Sequence, residues 1–337
     1  MTAPALDTGA LAAFLGVPGP LRAVPVSGGK SNLTYRIDDA SGPRWVLRRP
    51  PTAGLTPSAH DMGREYRTVA ALRGTGVPVA GAVALCEDPA VLGAPFSLVE
   101  YVDARVVRTR DQLADWDDRA VADCAEALVR VLAALHAVDH RATGLAGRPD
   151  GYLRRQVDLW GRQWRRVRTT DLPDLDRLHG LLAASVPASS AHAIVHGDYR
   201  IDNVMLDHGD PARVRAVVDW ELSTLGDPLA DAAMMCVYRT PGLDLVLGEP
   251  AAWNSERLPG ADALAQMYAR ASGRDLEHWE FHLGLAHLKL AVIAQGIEYR
   301  ARQGAAGAGR DRAGEAVAPY AAAGLRALGS GRRGVLL

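Results

Sequence analysis

Short apolar alternations dominate the first hundred or so residues, and longer helical periodicities dominate the rest. Leu21 to Val26, Thr34 to Ile37 and Trp45 to Arg48 read as strands, with a turn at Ser41-Gly42-Pro43 between the last two. Met62 to Leu72 reads as a helix whose apolar face carries Tyr66, Val69, Ala70 and Leu72. Val83 to Leu85 and Phe96 to Val102 add two strands on either side of a polar turn around Glu87-Asp88-Pro89. A short helix over 10–16 precedes this β-β-β-α-β-β order.

Beyond Asp103 the spacing predicts helices over Arg119 to His136, Tyr152 to Val167, Pro173 to Ala184, Ala261 to Ala271 and Glu277 to Gln303. Pro173 suits a first helical position, where no N–H is missed. Only strands around 194–218 interrupt them, and a mobile Gly/Ala/Arg linker at 303–313 leads to a last Ala-rich helix near 315–328. The prediction is an α+β chain of two lobes. Residues 1–102 are expected to form a small antiparallel sheet with one main helix, and residues 103–337 a larger, mostly helical lobe with an insert at about 140–190. A cleft between such lobes is a common place for a nucleotide.

Composition narrows the classes. With 337 residues, 48% of them hydrophobic, the chain can bury a full core. A net charge of −1 provides no overall basic field for nucleic acid or a membrane surface, so neither is expected as a partner. Cys86, Cys124 and Cys236 show no CxxC spacing, which argues against a disulfide framework and a zinc site. No basic residue precedes the N-terminal apolar stretch, as a secretory signal would require. Lys289, Gly296 and Glu298 interrupt the most apolar segment, Phe281 to Tyr299. A soluble, cytoplasmic protein is expected.

The chemistry concentrates in His196-Gly197-Asp198-Tyr199-Arg200-Ile201-Asp202-Asn203 and in Asp219-Trp220-Glu221. Asp198 and Asn203 lie in a polar stretch between the apolar runs 193–195 and 204–206, and Asp219 closes the run Val214 to Val218. Phosphoryl transfer uses such a set: a carboxylate to take the acceptor proton, and an amide and a second carboxylate to hold magnesium. Asp198 is the candidate base and Arg200 a cation for the transferring phosphate; Asn203 and Asp219 are candidate magnesium ligands. Any one of them alone would read as a turn residue. His196 reads as a loop-fixing residue, Asp227 as an N-cap before Pro228, and Asp231 as structural. Glu221 is left open between solvent and magnesium.

These motifs resemble the aminoglycoside phosphotransferase and choline kinase group, whose fold is similar to that of protein kinases. The stretch 195–198 and the run 219–228 resemble more specifically the kinase-like domain fused to some acyl-CoA dehydrogenases. The likeness runs from about residue 20 to 300 and implies ATP and magnesium as cofactors, with Asp198 as base and Asn203 and Asp219 on the metal. Gly28, Gly29, Ser31 and Asn32 would form a small-residue loop that lets backbone N–H groups approach phosphates. Lys30 reads as an exposed loop residue rather than a phosphate ligand. Arg48 takes the place of the usual strand lysine and Glu65 that of its helix partner, with Arg49 as the rival assignment. The carbonyl of Glu100 and the amide of Val102 would meet adenine. Asp103 stands where a glycine is common.

The acceptor is approached through the helix from Tyr152 to Arg168. It carries Arg154, Arg155, Arg162, Arg165, Arg166 and Arg168 against a single acid, Asp158, with Trp160 and Trp164 one turn apart. Two readings stay open. The arginines form a solvated face behind a tryptophan seam, or some turn inward and select an anionic acceptor such as a hydroxy acid or hydroxyacyl-CoA. The rivals are an aminoglycoside kinase, which would want acidic residues there, and a nucleotide-binding pseudokinase with a regulatory role. A protein kinase is disfavoured, because no Ala-Pro-Glu segment with an activation loop before it is present.

Overall fold

The computed structural model describes residues 5–26, 32–50, 61–188, 191–304 and 312–330. Gly28, Gly29, Lys30 and Ser31 of the proposed phosphate loop lie outside them, as does most of the expected linker at 303–313. The chain divides into two compact units: residues 1–104, 141–145 and 215–223, and residues 105–140, 146–214 and 224–337.

The first unit contains α1 (Thr8–Leu15), β1 (Arg22–Pro25), β2 (Leu33–Asp39), β3 (Gly42–Arg49), α2 (Met62–Leu72), β4 (Ala82–Cys86), α3 (Pro89–Leu92) and β5 (Phe96–Glu100). The strands form one antiparallel sheet in the order β1-β2-β3-β5-β4. Alternation divides β3 as its sequence requires. Trp45 and Leu47 join Leu11, Tyr35, Ile37, Leu92 and Phe96 in a buried cluster. Arg49, on the same face, donates to the carbonyl of Leu92 at 2.9 Å. Val46 and Arg48 face the other way, and Arg48 meets α2 there. Asp61 caps α2, accepting from the amide of Arg64 at 2.8 Å.

The second unit contains β6 (Arg105–Val106), α4 (Asp118–Ala137), α5 (Tyr152–Val167), α6 (Pro173–Ala184), β7 (Ala193–Val195) and β8 (Val204–Leu206). After β9 (Val214–Val217), which lies mostly in the first unit, it continues with β10 (Thr224–Gly226), α7 (Pro228–Val237), α8 (Gly242–Leu247), α9 (Ala261–Ser272), α10 (Trp279–Arg302) and α11 (Val317–Ser330). The long α10 forms its centre, with a nearly continuous run of buried residues from Phe281 to Ile297. Two antiparallel pairs flank the loop that holds Asp198: β7 with β10, and β6 with β8. No helix among the described residues is long and apolar enough to cross a membrane.

Several boundaries differ from the sequence expectation. The turn between β2 and β3 falls at Ala40-Ser41, because the Asp39 carboxylate accepts from both the amide and the hydroxyl of Ser41. The turn at Glu87-Asp88-Pro89 opens a one-turn helix, with Asp88 as N-cap and Pro89 at a first-turn position. Strand β5 stops at Glu100, two residues early. Two-residue β6 and three-residue β10 escape periodicity arguments because they are too short to show a period.

Candidate active site

In the second unit, the residues around Asp198 are placed by a clamp beneath the loop. Asp231, in the first turn of α7 and 2% exposed, accepts from the amides of His196 at 2.6 Å and Gly197 at 2.8 Å. His136 of α4 lies 3.3 Å from the same carboxylate through Nε2, and its Nδ1 is 2.7 Å from the Tyr268 hydroxyl. Burial pushes the Asp231 carboxyl up, but His136 and the His196 amide outweigh it and hold it below the usual range. His196 is fully buried and its Nδ1 accepts from the amide of Asp198 at 3.2 Å. Gly197 adopts φ 85°, a turn that a side chain would strain.

The Asp198 carboxylate, 21% exposed, is surrounded by donors. Oδ1 accepts from the Tyr238 hydroxyl and from Arg200 Nε at 3.2 Å; Oδ2 accepts from Asn203 Nδ2 at 3.0 Å. Asn203 Nδ2 also donates to the Asp198 carbonyl at 2.7 Å. With its nitrogen so engaged, the amide oxygen is the atom of this side chain that could accept a ligand. Arg200 is shared with Asp202 and lies 5.5 Å from the centroid of the Tyr238 ring. Burial raises the Asp198 carboxyl, yet Arg200 and Tyr238 together hold it below the ordinary range, so it is ionised near neutrality. Burial and Asp198 push the Tyr238 phenol far up, so it acts here as a donor.

In the first unit, Arg48 bridges two acids. It pairs with Glu65 on α2 and, through Nη2, with Asp219 at 3.1 Å. Glu65 keeps only 8% of its side chain exposed. Burial raises its carboxyl, and Arg48 opposes the shift. Arg49 is turned to the opposite face, so the geometry selects Arg48 over its neighbour as the partner of Glu65. Breaking such a buried pair costs roughly 3–5 kcal/mol, because one charge is left uncompensated. Arg48→Met is therefore expected to lower the denaturation midpoint strongly, and Arg48→Lys to lower it less; equal midpoints for both would contradict the pairing. Asp219 has φ 67° and ψ 58°, a left-handed conformation uncommon outside glycine. Glu221, left open by its sequence, approaches Asn32 Nδ2 at 3.4 Å through Oε2, and its carbonyl accepts from Arg64 at 3.4 Å. Glu100 and Val102 stand at and just past the end of β5, where Tyr101 N still donates to the Arg44 carbonyl at 2.9 Å.

The structure thus gathers Asp198, Arg200 and Asn203 in one unit, and Arg48, Glu65 and Asp219 in the other. The inward-arginine reading of α5 fails. Arg154, Arg162, Arg165, Arg166 and Arg168 are exposed. Arg154 donates to the Ala183 carbonyl, Arg155 to the carbonyls of Arg148 and Asp150, and Arg168 pairs with Asp171. The guanidiniums of these three hold local carbonyls and acids, while Tyr152, Gln156 and Trp160 of the same helix line a pocket. Tyr238 and Lys289 were not foreseen as part of the site. Tyr238 follows Asp198 by forty positions and carries no local signal; Lys289 is visible in the sequence only as one of the charges that interrupt an apolar segment.

The comparisons with known proteins agree with this arrangement. The model of the family described as "Phosphotransferase enzyme family" matches residues 22–285. Acyl-CoA dehydrogenase family member 10 of Mus musculus is 35% identical over 294 residues, covering 86% of this chain and 27% of its own length. Acyl-CoA dehydrogenase family member 11 of Gallus gallus is 36% identical over 291 residues, covering 84% of this chain and 37% of its own. The chain therefore spans about a third of the length of these relatives. A crystal structure from Ralstonia eutropha, provisionally assigned as an aminoglycoside phosphotransferase, superposes with a TM-score of 0.82 at 34% identity, covering 97% of this chain and 99% of the other. With these sequence and structural matches, the chain belongs to the phosphotransferase enzyme family and has its kinase-like α+β fold.

Proposed function

We propose that the protein transfers the γ-phosphoryl group of Mg-ATP to a hydroxyl of a small metabolite, a hydroxy acid or hydroxyacyl-CoA. The observation that carries this is the Asp198 carboxylate, ionised and fixed by Arg200, Asn203 and Tyr238 on a loop pinned by Asp231. An acceptor hydroxyl that donates to Asp198 is oriented for attack, and the carboxylate takes its proton as the new bond forms. Arg200, beside the base, favours charge on the transferring phosphate.

The donor set suits magnesium. Asn203 offers an amide oxygen and Asp219 a carboxylate, both hard ligands. Among the described residues there is no cluster of three or more His, Cys, Asp or Glu, as a dedicated all-protein cage would need. Magnesium is commonly held by one or two such groups together with substrate phosphates. Asn203 and Asp219 would hold it, and when bound it supplies neutralisation of the phosphate oxygens. Arg48, oriented by Glu65, is assigned to the nucleotide phosphates, Gly28, Gly29, Ser31 and Asn32 to the phosphate loop, and Glu100 and Val102 to adenine through their backbones. The hydroxyacyl assignment is supported by likeness to the acyl-CoA dehydrogenase family members.

The test is magnesium-dependent ATP consumption against hydroxy acids, hydroxyacyl-CoAs, amino alcohols and aminoglycosides. Turnover is expected on the first two classes; turnover on aminoglycosides alone would overturn the acceptor assignment. Tyr238→Phe supplies a second check. It removes a donor to the ionised Asp198, so the Asp198 pKa rises and the acid limb of the kcat/KM profile moves to higher pH. An unmoved limb would contradict the role given to Tyr238.

A further inference from the structure

Lys289 is a lone ammonium among apolar neighbours on α10, where Leu285, Ala286, Leu288, Leu290 and Ala291 are buried. Its Nζ donates to the carbonyl of Gly197 at 2.7 Å, one residue before Asp198, and lies 5.8 Å from the centroid of the Trp160 ring. Burial pushes its pKa down, opposed by the carboxylates of Asp198 and Asp231. It faces a pocket of about 20 Å3, large enough for a water-sized polar group, shared with Tyr152, Gln156, Trp160 and His282.

The pocket is rich in donors. Asp231 spends its carboxylate on two amides and His136. His282 is engaged by the His278 carbonyl at 2.9 Å and by Asp227 at 3.3 Å. Gln156 commits its oxygen to the Trp160 indole N–H at 3.2 Å, which leaves its NH2 to donate. An ammonium has three N–H groups, and among the described residues one of those of Lys289 is engaged. Such a wall offers the uncommitted donors of Lys289 and Gln156 to a group made of acceptors.

We propose that Lys289 and the Gln156 amide, beside the Trp160 ring, bind the acyl oxygen of the phosphate acceptor, either a carboxylate or a thioester carbonyl, next to the loop that carries Asp198. The identification of this ligand as the acceptor rests on the phosphotransferase reading above; the binding itself does not.

The test uses non-reactive probes on the full 15N-labelled chain, following the indole resonance of Trp160, assigned with Trp160→Phe. Butyrate, S-butyryl-N-acetylcysteamine and butanol are titrated separately. A saturable shift is expected with butyrate or the thioester, which tells a charged carboxylate from a neutral carbonyl. Butanol should bind about tenfold or more weakly, and Lys289→Met should weaken the acyl probe by a similar factor, as loss of a charged hydrogen bond implies. Equal responses to butanol and to both acyl probes would overturn the proposal, as would a titration unchanged in Lys289→Met. Should that variant fail to fold, the wild-type comparison with butanol still decides. Repeating the titration in Asp198→Asn separates the two readings: binding retained while phosphoryl transfer is lost supports both, and binding without transfer in the wild type would sink only the kinase reading.

Discussion

Asp198→Asn is expected to lower kcat for phosphoryl transfer about 10³-fold, the middle of the range of roughly 10²–10⁴ for a positioned base. The change is nearly isosteric, so the loop should stay in place. Asp231 holds the amides of His196 and Gly197 independently of the Asp198 side chain, and Arg200 keeps Asp202 as a partner. Nucleotide affinity should therefore remain that of the wild type, while the amide can no longer accept the acceptor's proton. Calorimetric titration with Mg-ATP and steady-state kinetics on the same preparation separate these effects. A variant that loses nucleotide binding along with turnover would show that Asp198 acts through the fold. A variant that keeps near-full turnover would remove it from the chemistry.

Asp231→Ala should lower stability by about 3–5 kcal/mol, the usual cost of breaking a buried charged network from one side. It strands the buried amide of His196 and the half-buried amide of Gly197, and removes the partner of His136 together. Denaturant unfolding would measure this through the midpoint at unchanged slope. The pH dependence has a definite sign. The Asp231 carboxyl is held below its ordinary value in the folded chain, so its contribution is complete above the unfolded carboxylate pKa, about 3.9. It is lost progressively as pH falls through the depressed folded value. The wild type should therefore lose stability more steeply than Asp231→Ala on acidification below about pH 4; parallel profiles would mean that Asp231 carries no such linkage.

Apart from the one-turn α3, the elements from β1 to β5 are legible because each states its class locally. Trp45 to Arg48 alternates, Met62 to Leu72 has a helical stripe, and the two bounds of that helix agree with the structure. The loop carrying Asp198 was legible as a run of polar residues between two apolar strands. What escaped was chemistry assembled from distant positions. Tyr238 reaches Asp198 from the end of α7, and Lys289 reaches Gly197 from α10. Neither has neighbours in sequence that announce its target. The arginines of α5 mislead for a physical reason: a helix exposes its charged side, and it is the opposite stripe of Tyr152, Gln156 and Trp160 that turns inward. The pocket proposed for the acceptor thus lies on the same helix, on the face opposite its arginines.

The central claim is that the phosphoryl group of ATP ends on an acceptor hydroxyl. Phosphorus-31 NMR of the wild-type protein with ATP and the pooled hydroxy acids and hydroxyacyl-CoAs, with and without magnesium, tests it most directly. The account predicts a phosphate monoester resonance growing in step with ADP, only when magnesium is present. ADP accompanied by inorganic phosphate alone, or bound nucleotide with no ADP formed, would contradict it.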